Sequence, residues 1–133
     1  MPASYQIWVG QAEENLKWGR DNLRLANYSL VGVLAQQAVE LMLKGYLYAE
    51  KNVPPKTHNL LRLMEQSRKL GLSLARDFSE ELAMLSEFYF DARYPDEAAF
   101  KNVDQGQAKE LLEFAEKICS VIKSQFTSGV KHK

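Results

Sequence analysis

Apolar residues recur at threes and fours along most of this chain, the spacing of amphipathic helices. From Tyr5, the positions Trp8, Ala12, Leu16, Gly19, Leu23 and Ala26 form one stripe, a first helix expected to end near Asn27. The next helix, over residues 28–50, is apolar almost all the way round. Val33, Leu34, Ala38, Leu41 and Gly45 lie on one side, and Val39, Leu43 and Tyr46 on the other. A helix with no solvated face belongs at the centre of a fold, covered by neighbours or by a second subunit. Only a short break separates the two helices, so they are expected to pair as an antiparallel hairpin.

The stretch KNVPPK, residues 51–56, ends that pattern, because paired prolines cannot continue a helix. Thr57 then stands at an expected N-cap, before His58, Asn59 and the apolar positions Leu60, Leu63 and Met64 of a short third helix. Arg68 and Lys69 fall in its last turn, and Gly71 can take the left-handed residue that closes it. Leu74, Phe78, Leu82, Leu85 and Phe88 or Tyr89 predict a long fourth helix, bounded by Pro95 acting on Tyr94. After a loop over 96–103, Asp104 and Gln107 have the spacing of a capping box. The fifth helix carries Ala108, Leu111, Leu112, Ala115, Ile118, Cys119, Ile122 and Phe126 on one stripe. The tail TSGVKHK, residues 127–133, has neither periodicity nor bulk and is expected to be disordered. No strand alternation competes. The prediction is all-α: an antiparallel up-and-down four-helix bundle with an extra short helix, one domain over 1–133 with its core at about 5–126.

Composition narrows the function classes. The 133 residues carry 17 Lys plus Arg against 17 Asp plus Glu, which excludes a heavily basic nucleic-acid binder. The lone Cys119 permits no intrachain disulfide and fits a reducing cytoplasm. Neither a basic-then-apolar leader nor a run of membrane-spanning length is present, so a cytoplasmic protein with no membrane role is expected.

Four polar features fall outside the core pattern. Gln37, Glu40 and Lys44, spaced i, i+3 and i+7, run a polar stripe along the otherwise apolar second helix, where each must find a partner or lose stability. Glu40 and Lys44 also have the i,i+4 order of a simple ion pair. Thr57 and His58 sit at a helix start, as a cap and a packing residue or as part of a site. The stretch Asp91, Ala92, Arg93, Tyr94 places a guanidinium beside aromatic rings, an arrangement suited to phosphate or to a nucleotide base. Its bland alternative is a cation on the last helical carbonyls. Asp96 and Glu97 are the fourth feature. The glycines are scattered singly, which excludes a glycine-rich phosphate loop. With two histidines and one cysteine, a zinc site lacks ligands, and without a Glu-x-x-His pair a di-metal carboxylate site is unsupported. No metal and no cofactor is expected.

Taken in order, Gln37-Ala38-x-Glu40-x-x-x-Lys44, Thr57-His58-x-Leu60 and Arg93-Tyr94-Pro95 resemble the HEPN domain family, over about Tyr5 to Phe126. The resemblance implies a helical bundle that commonly forms a homodimer. It also implies pairing with a minimal nucleotidyltransferase in a two-component, toxin–antitoxin-like system. Some members of that family are metal-independent ribonucleases whose site is an Arg followed four to six residues later by His, assembled across the dimer. Here residues 97–100 after Arg93 are Glu97, Ala98, Ala99 and Phe100, so that motif is absent.

The first expectation is therefore a nucleotide- or phosphate-binding bundle, with Gln37, Glu40, Lys44, His58, Asp91, Arg93 and Tyr94 as ligand-binding residues. No residue is assigned as catalytic on that reading. The alternative is an endoribonuclease in which His58 serves as base and Arg93 holds the RNA phosphate. A third possibility is an assembly protein whose polar stripe sets dimer register.

Overall fold

A computed structural model describes residues 4–50, 55–91, 93 and 102–130 of the chain. Five helices appear in it, α1 (Ser4–Arg24), α2 (Tyr28–Ala49), α3 (Leu60–Lys69), α4 (Ser79–Ser86) and α5 (Gln105–Val130), with no strand among the described residues. The all-α expectation holds. Among the described residues α2 alone touches all four other helices. Fourteen of its 22 residues are buried, as a helix without a solvated face requires. Val31, Ala35, Val39, Met42 and Leu43 of α2 pack in the same core as Ala12 of α1, Leu63 of α3, Leu85 of α4 and Ile118 of α5.

The α1–α2 hairpin turns on a single left-handed residue. The Asn27 N–H reaches the Asn22 carbonyl at 2.9 Å and the Ala26 N–H reaches Leu23 at 3.2 Å. These bonds close α1 as a Schellman motif with Ala26 at φ 64°, a position usually given to glycine. Helix α3 ends in the same way, with Gly71 at φ 115° and the Leu72 N–H on the Ser67 carbonyl at 3.0 Å. The α5 capping box forms as expected: the Gln107 N–H donates to Asp104 at 2.8 Å, and the Asp104 N–H donates to the Gln107 side chain at 2.9 Å.

Four boundaries differ from the periodicity. The cap of α3 is Asn59, whose side chain accepts the Arg62 N–H at 3.1 Å. Thr57 instead accepts the Asn59 N–H at 3.1 Å and shapes the approach. Helix α4 is eight residues long, not a long helix from Leu74 to the Pro95 boundary. Gln125 on α5 prevents the earlier start: its side chain takes the Ser73 N–H at 2.8 Å and donates to the Ser73 carbonyl at 2.6 Å. Both main-chain groups of Ser73 are thus claimed by a neighbour rather than by a helical turn. Past Ser86 the bonds tighten to three-residue spacing, with the Phe88 N–H on Leu85 at 2.9 Å and the Tyr89 N–H on Ser86 at 3.3 Å, and the helix stops. Among the described residues the bundle therefore has three long helices and two short ones. Finally, the α5 backbone stays helical to Val130, past the expected end at Phe126, while residues 131–133 lie outside the described residues.

Candidate functional site

The site is built on Glu40, whose side chain is only 10% exposed. A carboxylate so placed loses its hydration and must be surrounded by donors. Three converge on it. Gln36 Nε2, one turn back on α2, donates to Oε1 at 2.9 Å. Lys44 Nζ, one turn on, donates to Oε2 at 3.0 Å, and its side chain is itself only 12% exposed. His58 Nδ1, brought back by the chain between α2 and α3, lies 2.6 Å from the same Oε2. The Glu40–Lys44 pair was legible from its spacing. The histidine that closes the cluster comes from 18 positions on.

The other face of His58 is covered by Tyr89, with ring centroids 4.3 Å apart and planes 21° from parallel. Tyr89 belongs to the segment after α4, and its position is set by Phe88 and Gly32. A Cβ at residue 32 would lie 2.5 Å from the Phe88 ring, so glycine is what lets that ring seat on α2. Burial raises the Tyr89 hydroxyl above its usual range; Asp91 and Glu40 add to the rise and Arg93 opposes it. All three charges are thus close enough for one phenol to feel them.

Two residues on, Asp91 grips Arg93. One carboxylate oxygen accepts the Arg93 backbone N–H at 2.9 Å and Nε at 3.1 Å; the other accepts an Nη at 2.8 Å. This fork holds the Asp91 carboxyl down at about 2, with His58 contributing a smaller part. Arg93 is raised in turn by the same hydrogen bonds. The guanidinium remains 79% exposed, reaching solvent while its carboxylate stays mostly covered. It does not stand at a helix end: it lies in a turn seven residues past Ser86, fixed by an acid rather than by helical carbonyls.

Lys44, Glu40, His58 and Tyr89 thus touch in series from the middle of α2 to the segment after α4, and the Asp91–Arg93 fork follows two residues on. Gln37 is not in it. Its Oε1 accepts from Asn15 of α1 at 3.2 Å, and Asn15 in turn accepts from Gln11 at 3.4 Å. The glutamine on Glu40 is Gln36, one residue earlier and about 100° round the helix. Its signal was present in the sequence: Gln36 to Glu40 repeats the i,i+4 step of Glu40 to Lys44. Gln36 is fully buried, and its own Oε1 has no hydrogen-bond partner among the described residues. Tyr94, Asp96 and Glu97 lie outside the described residues. No group of three or more His, Cys, Asp or Glu among the described residues is placed to hold a metal.

The sequence profile of the HEPN domain matches residues 5–125. The chain belongs to the HEPN family. Among solved structures, TT1696 from Thermus thermophilus superposes with a TM-score of 0.81 at 29% identity, over 94% of this chain and 99% of that one. ST0689, described as an archaeal HEPN homologue, has the same fold at a TM-score of 0.69 and 22% identity, over 92% and 97% of the two chains. No curated protein matches the chain. In this HEPN domain no helix among the described residues is long and apolar enough to cross a membrane.

Proposed function

We propose that this HEPN bundle binds a phosphorylated ligand, a nucleotide or an RNA phosphate, at the series running from Lys44 to Arg93. The observation that carries the reading is the pairing of an exposed guanidinium, held rigid by Asp91, with a histidine–tyrosine stack supported on Glu40. Arg93, exposed and held by Asp91, is the cation that meets the phosphate oxygens. The half-exposed edge of the stack offers a flat surface and a ring nitrogen to a base or sugar. Lys44 is neutralised by Glu40 and sets the carboxylate rather than meeting the ligand. Titration with ATP and with GTP tests this: saturable binding is expected for the wild type, weakened at least about tenfold in Arg93→Ala, the effect of losing one charge-assisted contact. Binding of neither nucleotide would leave the cluster a structural network.

A second reading, a metal-independent endoribonuclease, is favoured by one feature. Glu40 on Nδ1 leaves His58 Nε2 as the available nitrogen, the arrangement of a general base. Incubation with RNA in the presence of a chelator decides it: specific cleavage abolished by His58→Ala would establish the enzyme.

The domain acts as a homodimer and as the binding subunit of a two-component system with a minimal nucleotidyltransferase; family membership supports the partner. Apolar exposure supports the dimer. Ile7 and Trp18 on α1, and Leu30 and Tyr48 on α2, are at least 40% exposed and recur at whole-turn spacing along their helices. A buried single thiol fits the reducing cytoplasm. Trp18→Glu is expected to shift the mass measured by light scattering to that of a monomer. A wild type that is already monomeric would remove the dimer, and failure to co-purify with a nucleotidyltransferase encoded beside it would remove the partner.

A further inference from the structure

Gln36 is an unexpected residue for its place. It is fully buried on α2, and its carbonyl oxygen has no hydrogen-bond partner among the described residues. A leucine or methionine would fill the same volume without that uncompensated oxygen. What the amide supplies instead is the N–H on Glu40 Oε1, opposite the oxygen that meets Lys44 and His58.

We infer that Gln36 and Glu40 are positioning residues for His58, fixing its Nδ1–H tautomer so that Nε2 faces the ligand as an acceptor. The inference rests on the ligand site proposed above and deepens it. A carboxylate that already takes hydrogens from an amide and an ammonium can meet a third group only as an acceptor, so the hydrogen of the third contact sits on His58 Nδ1. A ring nitrogen that donates to a carboxylate determines which form the other nitrogen takes. Tyr89, stacked on the ring, prevents it from turning away. The amide of Gln36 acts at one remove: without it Oε1 loses its donor, and the carboxylate is free to rotate about its last bond and loosen both partners on Oε2. Among the described residues, Glu40 bonds the imidazole, Lys44 shares its carboxylate oxygen, Tyr89 stacks on the ring and Asp91 is close enough to feel its charge.

Long-range proton–nitrogen NMR of the ligand-free protein reads the tautomer directly, with the His58 signals identified by their loss in His58→Gln. Wild type is expected to show Nδ1–H and an unprotonated Nε2. Gln36→Leu is expected to melt near the wild-type temperature yet show averaged His58 nitrogen shifts, which a purely structural glutamine would not produce. If Gln36→Leu does not fold, Gln36→Met serves in its place. An Nε2–H tautomer in the wild type overturns the inference, as does an unchanged tautomer in the folded variant. Because the NMR sample contains no ligand, a failure here is separate from a failure of ATP or GTP to bind.

Discussion

At the scale of single residues, the stability and the chemistry of this domain meet at Glu40. Its burial is tolerable because Gln36, Lys44 and His58 surround it, and the same contacts fix the histidine. Glu40→Ala leaves an ammonium 12% exposed with no counter-charge, and a loss of about 3 kcal/mol is expected in urea unfolding. Replacing both members, Glu40→Leu with Lys44→Met, is expected to recover most of that, since no buried charge is then left alone. Asp91 gives a pH signature. Its carboxyl titrates at about 2 in the folded protein instead of 3.8, so the folded state holds fewer protons than the unfolded one between those values. The contribution of its fork with Arg93 is full above 3.8 and lost as pH falls toward about 2. Thermal melts across this range are expected to fall less steeply in Asp91→Asn. Asp77 and Glu81, held low by Ser79 and by Arg76, leave a remaining slope in both proteins.

The elements show why some of this was readable from the chain and some was not. Capping boxes and i,i+4 pairs are local, so Asp104 with Gln107 and Glu40 with Lys44 could be read from spacing. Helix α4 could not. Its apolar stripe continues upstream through Leu74, but Gln125, 52 residues further on, claims the Ser73 main chain and delays the helix. Gln36 was readable as well, from its i,i+4 step to Glu40, whereas the turn of Gln37 toward Asn15 of α1 is a tertiary fact. Two element-level substitutions follow. Ala26→Gly removes a left-handed alanine from the α1 closure and is expected to stabilise by about 0.5–1 kcal/mol, read as a rise of a few degrees in melting temperature. Gly32→Ala drives a methyl group into the Phe88 ring and is expected to cost about 1–3 kcal/mol, with partial recovery in Gly32→Ala/Phe88→Leu. Nucleotide affinity should fall with it, because Phe88 anchors the segment that carries Tyr89 and Asp91.

For the whole molecule, α2 is both the centre of the core and the floor of the candidate site. One helix touches all the others among the described residues, so a polar cluster on it inherits the rigidity of the entire bundle. His58, which reaches that floor, and Arg93 both lie on connections rather than on helices, which is why helical periodicity alone could not place them. The most direct measurement is proton–nitrogen shift mapping of the amides during titration with ATP. Saturable shifts confined to Glu40, Lys44, His58, Tyr89, Asp91, Arg93 and their neighbours are the predicted result. Shifts gathered on the outer faces of α1 and α5, with those residues unmoved at saturation, would contradict it.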